Sequence, residues 1–148
     1  MKFFIGILLL TGMVSCSSND DTPTVVDNTN ITGTWKPANY EFRGKTIPLN
    51  DCESRGQIYI NTDYSGTYER NEAGAGDTCN LVDSFTGKWA YDKLYNVLIL
   101  TYTEGNETKT LRKEVESYSE TELRIKDNNK NLDNVPGNDT GILIFRKG

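Results

Sequence analysis

Residues 85–102, FTGKWAYDKLYNVLILTY, constrain the fold more than any other stretch of the chain. Phe85, Gly87, Trp89 and Tyr91 fall on one side of an extended segment, with Thr86, Lys88 and Ala90 on the other. A period of two marks a half-buried strand, because successive side chains point to opposite faces. The turn-like DKLYN follows, and then VLILTY is apolar on both faces, as a strand in the middle of a β protein is. The stretches before and after read as more strands of the same kind, closing around this pair.

With 148 residues the chain is long enough for one domain with its own core and a short leader. Eight Tyr, five Phe and two Trp favour strands over helices, and no window sustains a 3.6-residue apolar period. The fold class is therefore all-β. A formal charge of -5, spread rather than clustered, argues against a nucleic-acid partner, which needs a basic footprint. The chain has no histidine, which removes His-based triads, His zinc sites and imidazole acid–base chemistry. No Gly-rich phosphate loop occurs, and no cofactor is expected.

Residues 1–15 place a charge at Lys2, an apolar run at 3–10, and Met13-Val14-Ser15 directly before Cys16. The segment is too short to span a membrane and reads as a secretory signal. Its end resembles the bacterial lipobox, which implies that Cys16 is lipid-modified and becomes the mature N-terminus. Acyl chains contribute roughly 0.8 kcal/mol per buried CH₂, so several of them anchor firmly. The acidic SSNDD that follows resembles the surface-export signal of Bacteroidetes lipoproteins. The expectation is an outer-membrane, lipid-anchored protein of the cell envelope, displayed at the surface. Residues 16–30 read as a flexible tether, and residues 31–148 as the domain.

Within that domain the first strand opens at Ile31 and runs through Tyr40 and Phe42, with Pro37 predicting an edge or a bulge. Further strands are expected at 58–60, 67–69, 85–91, 97–103, 108–117, 122–126 and 141–146. Eight short strands without helical crossovers predict an antiparallel up-and-down meander closed into a barrel. A two-sheet sandwich is the alternative. A meander sorts its connections by end. The long ones, at 44–55, 71–84 and 127–140, share one rim, and the other rim has only short turns and receives the tether. Cys52 and Cys79 then lie at the same rim, where in an exported chain they most simply pair. Two free thiols or a redox pair is the competing reading.

Gly33-Thr34-Trp35 at the start of such a meander, a second Gly87-Lys88-Trp89, and two cysteines between them resemble the lipocalin-like lipoproteins of Bacteroidetes. The resemblance covers residues 31–146. It implies that Trp35 packs across the base of the barrel beneath a basic residue of the last strand, here Arg146. A cation over the ring adds about 1 kcal/mol.

An open barrel would be lined by Ile58, Ile60, Tyr68, Phe85, Trp89, Tyr91, Leu123 and Ile125, a cup suited to a small apolar or amphipathic ligand. The same residues would otherwise fill the barrel as a solid core. Asp127, Asn129, Asn131 and Asp133 alternate as in the start of a calcium loop, but Leu132 stands where that loop needs Gly. Glu53, Asp77 and Asp83 share the loop-bearing rim, yet no spacing singles out a catalytic pair. The expected function is non-enzymatic: a monomeric binding protein, or alternatively a surface interaction module that binds through its rim loops.

Overall fold

The computed structural model describes residues 30–148. The leader, Cys16 and nearly all of the tether lie outside the described residues. Nine strands form one sheet: β1 (Gly33–Phe42), β2 (Lys45–Pro48), β3 (Gln57–Ile60), β4 (Ser65–Ala73), β5 (Cys79–Asp92), β6 (Val97–Glu104), β7 (Glu107–Tyr118), β8 (Glu122–Lys130) and β9 (Asp139–Lys147). From β3 to β9 each strand pairs antiparallel with the next, and β1 pairs with both β3 and β9. Eight strands thus close an up-and-down barrel. The ninth, β2, folds back on the far half of β1.

The alternation read at 85–91 holds in space. Phe85, Gly87 and Trp89 turn inward while Thr86, Lys88 and Ala90 are exposed. Glycine is needed at two facing positions, Gly66 and Gly87. A Cβ on Gly66 would lie 1.8 Å from the Tyr59 carbonyl oxygen, and one on Gly87 would lie 1.9 Å from that of Thr101. The Trp89 indole passes beside Gly66 and donates to the Tyr59 carbonyl at 3.0 Å.

The core occupies the half of the barrel at the short-turn rim. Trp35, Ile58, Ile60, Leu98, Leu100, Leu123 and Ile125 are all but fully buried there. Trp35 donates its indole N–H to the Ile31 carbonyl at 2.8 Å. Its cross-strand partner is Lys147, whose Nζ stands 4.7 Å from the ring centroid. The expected cation was Arg146. That residue is one position out of phase, so its side chain lies on the exposed outer face. The aliphatic stem of Lys147 also explains Gly33, where φ is +129° and a Cβ would meet Lys147 Cε at 3.0 Å.

Two connections are shorter than expected. The stretch 71–84 is a β-ladder, since β4 and β5 stay paired out to Ala73 and Cys79, leaving a tight turn at 74–78. The polar stretch 127–140 shrinks likewise to 131–138, because β8 runs to Lys130 and β9 begins at Asp139. In both places polar residues form strands because their backbone groups find partners on a neighbour, whatever the side chains prefer. The connection at 44–56 is long, and it carries β2 and a 3₁₀ turn at Glu53–Arg55.

Candidate functional site

Opposite the core, the barrel wall loosens. β1 and β3 pair only from Gly33–Ile60 to Trp35–Ile58. Two residues further on, Pro37 has no N–H to extend that ladder, and the strand bulges between Pro37 and Asn39. From Asn39 onward β1 pairs with β2 instead. The 44–56 connection crosses the resulting gap. It is held by a disulfide between Cys52 and Cys79, at the start of β5. Closing a loop across 27 positions stabilises the folded chain by roughly 3–4 kcal/mol on a chain-entropy argument.

Beneath this strap lies a cavity of about 270 Å³. Pro37, Tyr40, Tyr68, Leu143 and Phe145 supply its apolar surface, while Glu53, Glu69, Arg70, Glu72, Lys130 and several asparagines form the polar part. Most of these charges are in ion pairs, while Glu69 accepts from the Gln57 side chain at 2.6 Å. Lys130 Nζ meets both oxygens of Glu53, at 2.8 and 3.0 Å. Arg70 donates to Asp83 at 2.8 Å and also pairs with Glu72. The Tyr40 hydroxyl donates at 3.0 Å to Asp127, which is 6 % exposed. Burial, and then the adjacent Asp127 carboxylate, push the Tyr40 phenol above its ordinary range. Burial does the same to Tyr68.

A second opening separates β7 from β8. Their pairing runs from Tyr118–Leu123 to Val115–Ile125 and stops, so residues 107–114 and 126–130 splay apart. The space between them, about 260 Å³, is lined by Lys113, Asp127 and Thr140 with Arg112, Glu114, Lys126 and Asn128.

Of the eight residues expected to line a cup, Tyr68 alone lines the first cavity. Ile58, Ile60, Trp89, Leu123 and Ile125 belong to the packed core, and Phe85 and Tyr91 are half-buried against it. Gly33 and Trp35 sit at the base. The alternating acidic and amide groups at 127–133 do not converge. Asp127 points into the barrel, while the Asn131 side chain accepts from the N–H groups of Asp133 and Asn134 to shape a turn. Among the described residues no group of three or more His, Cys, Asp or Glu is placed to hold a metal. The rim carboxylates Glu53 and Asp83 are each paired with a separate cation.

Sequence reasoning gave Tyr40, Arg70, Lys113, Asp127 and Lys130 no place in a cup, and weighed Asp127 only as a calcium ligand. Three of them carried a signal. Arg70 continues the inward face of Tyr68, Lys113 stands between Leu111 and Val115, and Asp127 follows Leu123 and Ile125 at the same period of two. A charge on the apolar face of a strand is costly to bury, and such a position marks a polar interior. Lys130 carried no such mark.

A sequence family described as a lipocalin-like domain matches residues 31–125, from the approach to β1 to the middle of β8. No curated protein matches the chain.

Proposed function

The chain belongs to the lipocalin-like domain family, and from that premise we propose that it is an exported, lipid-anchored protein that binds a small amphipathic molecule at the mouth of its barrel. The observation that carries this reading is the cavity of about 270 Å³ under the disulfide-held strap. It joins an apolar surface from Tyr40, Tyr68 and Phe145 to a rim of paired charges, the combination by which small-molecule sites fix both body and orientation. A binding role rather than catalysis accords with the rim carboxylates Glu53 and Asp83 being held by two different cations, Lys130 and Arg70.

Anchoring rests on Met13-Val14-Ser15-Cys16. β1 begins at the rim of the short turns 61–64, 93–96 and 119–121. A tether entering there directs the mouth away from the outer membrane, toward the ligand's side. The packed lower half favours a second reading, in which the barrel is only a scaffold and the 44–56 and 131–138 connections meet a macromolecule.

Native mass spectrometry of the full chain recovered from its own membrane tests the first reading. A small molecule that stays bound, and that Tyr68→Ala releases, supports it. A chain that carries no small molecule and takes up none from a cell extract overturns it. Palmitate labelling that persists in Cys16→Ala would contradict the lipid anchor.

A further inference from the structure

Arg70, Asp83, Lys113 and Asp127 are charged side chains at inward positions of their strands. Three of them are satisfied within the barrel. Arg70 and Asp83 pair at 2.8 Å. Asp127 accepts from the Tyr40 hydroxyl at 3.0 Å, from the Asn129 side chain at 3.0 Å and from the Asn129 backbone at 3.2 Å. Lys113 is the exception. It makes neither a hydrogen bond nor an ion pair with any described residue, and its ammonium rests over Tyr68, 4.9 Å from the ring centroid.

The ring face offers an ammonium partial compensation for lost water, less than an anion would. Desolvation accordingly lowers the Lys113 pKa. Arg70 adds to the effect, and Asp127 and Asp83 oppose it. Asp127 accepts from Tyr40 and Asn129 and makes no ion pair with Lys113, which leaves the ammonium without a paired anion among the described residues. A route exists, since Lys113 lines the opening between β7 and β8. An apolar surface continues from the ring under the ammonium, since the Tyr68 and Phe85 centroids are 6.3 Å apart. Phe85 and Tyr102 stack at 4.3 Å, both half-buried, beside half-buried Leu111.

We propose that Lys113 anchors the acidic head of a singly charged amphipathic acid that enters between β7 and β8 and lays its apolar part along Phe85 and Tyr102. This rests on the ligand-binding reading above and narrows it to a chemical class. One negative charge is the number that a lone ammonium balances. Arg112 and Lys126 at the lips of the opening would steer the anion inward.

Calorimetric titration of the full chain with decanoate and with decanol tests the assignment. The Lys113→Met full chain serves as the matched control, so that partition into any lipid cancels. Decanoate is expected to bind roughly ten-fold or more tightly than decanol, the ratio one charge-assisted hydrogen bond gives. Lys113→Met should erase that preference, and Lys113→Arg should retain it. The methionine variant removes a buried charge, so its thermal midpoint should not fall. Decanoate binding should also take up protons at alkaline pH, because the carboxylate holds the proton on Lys113 in a field otherwise set by Tyr68, Arg70, Asp83 and Asp127. Equal affinity for decanoate and decanol, or a preference that survives Lys113→Met, overturns this inference and leaves ligand binding intact. If neither compound binds, the ligand-binding reading fails and this one with it.

Discussion

The two halves of this barrel are built on opposite rules. In the base, strands are paired on both sides, side chains are apolar, and Trp35, Leu98 and Leu123 are fully buried. In the mouth the ladder breaks twice, after Trp35–Ile58 and after Val115–Ile125. The inward positions there carry Arg70, Asp83, Lys113 and Asp127. Burying apolar surface is what stabilises a fold, at about 25 cal/mol per Å². A half that gives up that contribution and buries charge instead is what the proposed ligand-binding role would require. The disulfide makes the division workable: it fastens the 44–56 strap to β5, at the end of the barrel where apolar packing is thin.

Substitutions should therefore differ by half. Trp35→Ala, at the base, should cost the most, about 3–5 kcal/mol in denaturant unfolding, as large-to-small changes at buried aromatic sites do. Replacing both Cys52 and Cys79 by Ser comes next, at roughly 3–4 kcal/mol. Unlike the first change it should loosen the strap selectively, seen as faster amide exchange across 44–56 with the base amides protected up to the lower global limit. Equal loosening of both halves would argue against the division.

Tyr40→Phe should be milder, about 1–2 kcal/mol, because it removes one donor from the buried Asp127 carboxylate. It also has a pH signature. The folded-state pKa values of Tyr40 and Tyr68 are raised, so their contribution is fully present below about pH 10, where unfolded tyrosines ionise, and is lost as pH rises further. An alkaline unfolding profile that flattens in Tyr40→Phe bears this out, and an unchanged profile would count against it. The smallest effect should come from Arg124→Ala. Arg124 bridges β8 to Glu41 of β1 across the outside of β9, and solvent and salt screen that contact. Its stability difference should shrink as salt is added.

The base was readable from sequence and the mouth largely was not. Period-two alternation gave the strands, and the meander placed Cys52 and Cys79 at one rim, where they bond. Polar strand ends such as 70–73 and 79–84 looked like loops, because their pairing comes from a distant partner and not from their own composition. The cation over Trp35 was misplaced by one residue, since the inward phase of β9 is set by its pairing with β1. The cavity itself depends on where two ladders stop, a property of geometry that no single residue announces. Pro37 came nearest to announcing it.

Amide hydrogen exchange on the full chain, with and without decanoate, tests the central claim most directly. A solid base and a receptive mouth should give slow exchange at Trp35, Ile58, Leu98 and Ile125 whatever is added. Within 107–114 and 126–130, the amides that face the gap, and not β6 or β9, should exchange fast in the free protein and be slowed by the acid. Slowing centred on the base strands, or spread evenly around the barrel, would contradict it.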